Sequence, residues 1–114
     1  MPKYQADLDQ VFRALGDGSR RAMVERLARG PASVSELARP FDFALPTVVQ
    51  HLAVLEAAGI VTSTKVGRVR TFQLVSGCLD PATDWLGRRR LPAEQRLDRL
   101  GAFLEQPKPK EKRR

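Results

Sequence analysis

Residues 45–61, LPTVVQHLAVLEAAGIV, hold the side chains best placed to read a chemical pattern. Wound as a helix over roughly 46–58, the stretch puts Leu45, Val48, Leu52 and Leu55 on one side. Thr47, Gln50, Ala53 and Val54 fall on the other, with Val49 and His51 on the flanks. This outward patch is small, uncharged and close to the helix start, whereas a merely solvated face more often carries Lys and Glu. The Gln50 amide offers a donor and an acceptor together, which matches the major-groove edge of adenine. The Thr47 hydroxyl bonds to several bases, and Val49 suits a thymine methyl. Pro46 fits a helix start, because the first-turn N–H that proline lacks has no intrahelical partner. A second cluster, Lys65, Arg68 and Arg70, brings three cations into six residues, a density suited to phosphates or a minor groove.

Other reactive residue types are sparse. The chain has one Cys and one His. Soft-metal sites need several thiolates or imidazoles, so neither a metal site nor a cofactor is expected. His51 either packs as a structural ring or contacts DNA. No arrangement of a nucleophile with a base and an acid is visible, which argues against an enzyme. Cys78 lies in an expected turn and reads as inert, since a thiol switch needs a lowered pKa. Ser33 and Ser35 either cap a short helix or hold a phosphate at its start. Arg20 and Arg21 read as structural ion-pair partners, and Arg88, Arg89 and Arg90 as a solvated helix end.

The elements that must position these residues follow from periodicity and breakers. Leu8, Val11, Phe12 and Leu15 make one apolar helical face. GDGS (16–19) breaks it, and Asp17 can cap a helix over roughly 18–29 that turns Ala22, Met23 and Leu27 inward. Gly30-Pro31 ends that helix. A third, short helix starts near Ser33 or Val34, has Glu36 in its first turn, turns Leu37 and Ala38 inward and stops at Pro40. Gly59 suits a left-handed cap on the fourth. Ile60–Lys65 and Arg68–Val75 are rich in β-branched residues around Val66-Gly67 and read as a hairpin. Arg68 and Arg70 then share a face with Phe72 and Leu74, which lie farther from the tip and belong to the core. Helical stretches at about 82–90 and 93–105 follow, the latter with Leu97, Leu100, Phe103 and Leu104 as a stripe. Trp85 reads as core or interface.

With 114 residues, 42% of them apolar, the chain suits one modest domain that would gain from dimerisation. It has neither a long apolar run nor a secretion-type N-terminus, and a single Cys fits a reducing cytoplasm. The net charge is +7, and the tail QPKPKEKRR (106–114), with five basic residues and one acid, supplies +4 of it. The expected organisation is a folded unit over 1–105 and a basic tail that reads either as a disordered, solvated end or as a nonspecific DNA-binding arm, two compatible roles.

A short helix, a tight turn, a helix with a polar outward patch and a hairpin with a basic tip together form a winged helix-turn-helix. Its second helix enters the major groove. ALGDGSRRAMVERL (14–27), VSELARPF (34–41), LPTVVQHLAVLEAAGIV (45–61) and GRVRTFQL (67–74) resemble the ArsR/SmtB family of bacterial winged-helix repressors, and specifically the subgroup without a metal site. The resemblance implies a mainly α fold with a β-hairpin, in the order α-α-α-α-β-β-α. It also implies a homodimer joined through the first and last helices, repressing transcription from a palindromic operator on double-stranded DNA. Leu8, Val11, Phe12, Trp85, Leu97, Leu100, Phe103 and Leu104 would serve that interface. Pro46, Thr47, Val49, Gln50, His51, Lys65, Arg68, Arg70, Ser33 and Ser35 would face DNA. No effector is implied. The family usually has Ser or Thr where Ala44 stands, so the fourth helix is expected to lack a side-chain cap, a loss of about 1 kcal/mol. Pro92 in LPAE is expected to interrupt the last helix. An adaptor that binds protein is the alternative: it accounts for the apolar Val49 and Val54 but not for the clustered cations.

Overall fold

The computed structural model describes residues 3–105; the expected basic tail, 106–114, lies outside the described residues. The order is α1 (Lys3–Leu15), α2 (Gly18–Leu27), β1 (Ala32–Ser33), α3 (Val34–Ala38), α4 (Leu45–Ala57), β2 (Val61–Val66), β3 (Val69–Leu74), α5 (Asp80–Gly87) and α6 (Pro92–Glu105). The chain divides into two compact units, one running to Thr83 and the other from Asp84 onward.

In the first unit, α2 starts where Asp17 accepts hydrogen bonds from the backbone N–H groups of Ser19, at 2.8 Å, and Arg20, at 3.1 Å. The Arg20 N–H bond, opposed in part by desolvation, holds the Asp17 carboxyl below its ordinary pKa. A carboxyl whose pKa is lowered by folding stabilises the fold above its unfolded pKa and ceases to do so as pH falls through the lowered value. Asp17→Ala is therefore expected to lower the thermal midpoint at neutral pH, and the gap from wild type should close in strong acid; calorimetry across that range checks both.

Ser33 and Glu36 form a capping box at the start of α3: Ser33 Oγ accepts from the Glu36 N–H at 3.2 Å, and the Ser33 N–H donates to Glu36 Oε1 at 2.8 Å. Ala44 makes no side-chain cap at the start of α4, as expected from its type, and Pro46 stands in the first turn. Gly59 ends that helix with φ 77°, a conformation that glycine adopts without strain.

The sheet has three strands in the order β1-β3-β2, all antiparallel. The two-residue β1 was not expected from the sequence. Ala32 pairs with Phe72 and Ser33 with Thr71, which ties the start of α3 to the hairpin. The core gathers Leu8, Val11 and Ala14 from α1, Met23 and Leu27 from α2, and Leu37 from α3. Val48, Leu52 and Leu55 from α4 join them, with Ile60, Val61 and Phe72 from the sheet region.

Several expectations need correction. Ala22 is exposed, and Met23 and Leu27 make the buried face of α2. Leu45 is 51% exposed although its phase is inward; it opens α4, and the neighbouring α3 is only five residues long. The hairpin turn is Gly67-Arg68, one residue later than expected, because Val66 pairs with Val69 and Gly67 has φ 62°. Arg68 therefore sits at the tip itself and does not share a strand face with Arg70. Two helices follow the hairpin, as the periodicity predicts, where the element order implied by the resemblance has one.

The second unit holds the end of α5 and α6. Pro92 is the first residue of α6, so it starts that helix and does not interrupt it. The Leu91 N–H donates to Glu94 Oε1 at 3.0 Å across the same helix start. Arg90 pairs with Asp98, and the Arg89 guanidinium lies 4.9 Å from the Trp85 ring centroid, so both carry structural contacts.

Candidate nucleic-acid interface

The outward side of α4 is open. Thr47, Gln50 and Ala53 are exposed, Val49 is 50% exposed and Val54 is half-buried. The opposite side, Val48, Leu52 and Leu55, is in the core. That burial fixes which side of the helix faces away, because the hydrophobic effect is lost if the helix turns over. The exposed side carries no charge from Pro46 to Val54.

Lys65, Arg68 and Arg70 are exposed on the wing. Lys65 and Arg70 pair directly across the two strands, and Arg68 stands at the turn beyond them. The Arg70 Nη1 donates to Ser63 Oγ at 2.9 Å, and Ser63 Oγ donates in turn to Glu56 Oε2 at 3.4 Å. A short relay thus links the wing to the last turn of α4. Sequence reasoning missed Ser63 and Glu56, since nothing in an isolated strand shows which residue faces a helix end.

The remaining candidates divide. Ser35 is exposed in the first turn of α3, while the Ser33 hydroxyl is engaged in the capping box. His51 is half-buried, with Nδ1 at 3.2 Å from Arg20 Nη1 and its ring tilted against Phe43. Among the described residues, Arg20 and Arg21 bond to backbone carbonyls in place of the expected ion pairs. Arg20 donates to the Ala14 carbonyl at 2.7 Å and to that of Arg13 at 3.3 Å, and Arg21 donates to the Leu15 carbonyl at 2.7 Å. They neutralise the carbonyl end of α1, where the helix leaves acceptors unpaired and the dipole is negative.

Among the residues assigned to an interface between copies, Leu8 and Val11 lie in the chain's own core at 7% and 3% exposure, which corrects that assignment. They share the inward stripe of α1, and α2 and α4 already cover it. Phe12 and Trp85 are each 37% exposed, and Leu97, Leu100, Phe103 and Leu104 are 54–67% exposed.

Burial, with Asp80 adding its charge, pushes the Cys78 thiol above its ordinary pKa. The thiolate is the nucleophile, so Cys78 is expected to react with iodoacetamide at neutral pH more slowly than free cysteine does. Mass spectrometry of timed samples checks this; a faster reaction would point to an activated thiol.

An open polar face on the second helix of a helix-turn-helix, beside a basic hairpin, defines a winged-helix DNA-binding domain. The comparisons agree. A helix-turn-helix domain model matches residues 15–64. The HTH-type transcriptional regulator Rv2034 of Mycobacterium tuberculosis is 50% identical over 66 residues, which cover 58% of this chain and 62% of that regulator. The arsenical resistance operon repressor of Staphylococcus aureus is 30% identical, over 65% of this chain and 71% of the repressor. The crystal structure of an ArsR family transcriptional regulator, RHA00566, superposes with a TM-score of 0.73 at 44% identity, covering 78% of this chain and 92% of that one. The chain belongs to the ArsR family of winged-helix transcriptional regulators. The named relatives are transcriptional regulators of a non-enzymatic family, and the adaptor alternative is not favoured. Among the described residues, no helix is long and apolar enough to cross a membrane.

Proposed function

We propose that the protein works as a homodimer that represses transcription by occupying a palindromic operator. One observation carries the reading: the uncharged outward side of α4 is exposed while the hairpin beside it gathers Lys65, Arg68 and Arg70. In this arrangement Thr47 and Gln50 meet base edges, Pro46 and Val49 sit against the groove, and Ser35 faces the backbone. The wings hold the flanks, and the two copies of α4 enter successive major grooves about one helical turn apart. Folded regions 3–105 supply reading and pairing, and the basic tail adds nonspecific attraction.

The uncovered apolar side chains of α6, Leu97, Leu100, Phe103 and Leu104, support pairing of two copies, because contiguous apolar surface of this kind usually marks a protein contact. The name of the staphylococcal relative refers to arsenicals. This chain has a single Cys, and no group of three or more His, Cys, Asp or Glu comes together among its described residues. Response to soft metals is therefore not carried over. Zinc or arsenite releasing the protein from DNA would overturn that part.

Gln50→Ala is expected to remove about 1–3 kcal/mol of discrimination at one base pair of each half-site while leaving nonspecific binding unchanged. Selection of duplexes from a random pool by wild type and variant, followed by titration, reads this directly. An unchanged consensus would remove Gln50 from the reading surface.

A further inference from the structure

We propose that Arg20 is a positioning residue for DNA reading, acting through His51; this rests on α4 being the helix that contacts base edges. The guanidinium stands where three helices meet. Its Nε and Nη2 donate to the carbonyls of Ala14 and Arg13, at 2.7 Å and 3.3 Å, at the end of α1. Its Nη1 lies 3.2 Å from Nδ1 of His51 on α4. A guanidinium only donates. Nδ1 is then the acceptor of this contact. The ring also meets Phe43, with centroids 5.7 Å apart, and Phe43 is itself stacked on Phe41 at 4.9 Å. Asp17, which caps Arg20's own backbone, is the carboxylate near both Arg20 and His51, and Arg13 lines the same hollow as Arg20.

His51 directly follows Gln50 in α4. The apolar contacts of Val48, Leu52 and Leu55 decide which side of the helix is buried, but they are non-directional and tolerate a small roll about its axis. A hydrogen bond restricts that roll, since it weakens steeply away from linear geometry. Even a slight roll carries the Gln50 amide out of register with a base edge. The bond leads back through Arg20 to the end of α1, so the attitude of the reading helix is referred to that helix.

A direct contact from His51 Nε2 to DNA is the competing role, and an amide pair separates the two. In His51→Asn the side-chain oxygen takes the place of Nδ1 and keeps an acceptor for Arg20. In His51→Gln the amide reaches the place of Nε2 instead. The full chain is titrated by fluorescence anisotropy with a duplex selected by the wild type and with a scrambled duplex. Sedimentation and thermal unfolding follow each variant.

Arg20→Gln and His51→Gln are each expected to lose about tenfold in affinity for the selected duplex, with scrambled-duplex affinity and dimer intact. Arg20→Lys keeps the charge but not the fork and should stay impaired. His51→Asn should remain within about twofold of wild type.

The inference is overturned if Arg20→Gln selects and binds as wild type does, or if His51→Gln outperforms His51→Asn. Should Arg20→Gln unfold, the His51 pair still decides, since it leaves the carbonyls of α1 capped. A wild type with no preferred duplex overturns the DNA reading itself and the inference with it; a selective wild type beside an indifferent Arg20→Gln overturns the inference alone.

Discussion

Leu100→Asp combined with Phe103→Asp is expected to turn the protein into a folded monomer that has lost most of its affinity for the operator. Both side chains are largely exposed, at 54% and 67%, and neither belongs to the buried core. Two carboxylates in a paired apolar surface would each be desolvated without a partner, which costs far more than the contacts they replace. A monomer binds one half-site. The dimer binds the second half-site at the high effective concentration set by the first, an advantage of about 10²–10⁴-fold. The loss of affinity should therefore fall in that range. Sedimentation reports the assembly state, circular dichroism the fold, and anisotropy the affinity. A variant that remains dimeric, or a monomer that binds as tightly as wild type, would remove α6 from the pairing surface.

Arg68→Ala combined with Arg70→Ala is expected to weaken binding about ten- to a hundredfold on every duplex, without changing which sequence is preferred. The salt dependence should become shallower by about two ion contacts, or about 1.8 in the slope of log affinity against log salt. Arg70 also reaches Ser63, which reaches Glu56 at the end of α4. Loss of Arg70 therefore frees the wing from the helix as well as removing a cation, and Arg70→Ala alone should outweigh Arg68→Ala. Equal affinities for wild type and the double variant would show that the wing does not touch DNA.

How much of this was legible in the sequence depended on how local the determining physics is. The sidedness of α4 follows from the spacing of Val48, Leu52 and Leu55 within one helix, and the missing cap follows from Ala44 alone; both could be read directly. The Asp17 cap was equally local. β1 was not legible, because two residues carry no period and their strand character comes from pairing with Phe72 and Thr71, distant in the chain. The turn was displaced by one residue because β-branched Val66 and Val69 bracket Gly67-Arg68 symmetrically, and only the pairing register settles which residues bend. Leu45 kept the right phase but had no neighbour long enough to cover it. Arg20 was named but read as an ion-pair partner. Its partners are backbone carbonyls of α1 and a ring on α4, and carbonyls are invisible to any search for opposite charges.

The most direct measurement of the central claim is methylation interference on a duplex selected by the full chain. Methyl groups on guanine N7 obstruct the major groove and those on adenine N3 the minor. If α4 reads base edges and the wings hold the flanks, N7 interference will appear in two symmetric half-sites about one helical turn apart, with N3 interference outside them. A single unbroken tract, or an absence of N7 interference in both half-sites, would contradict it.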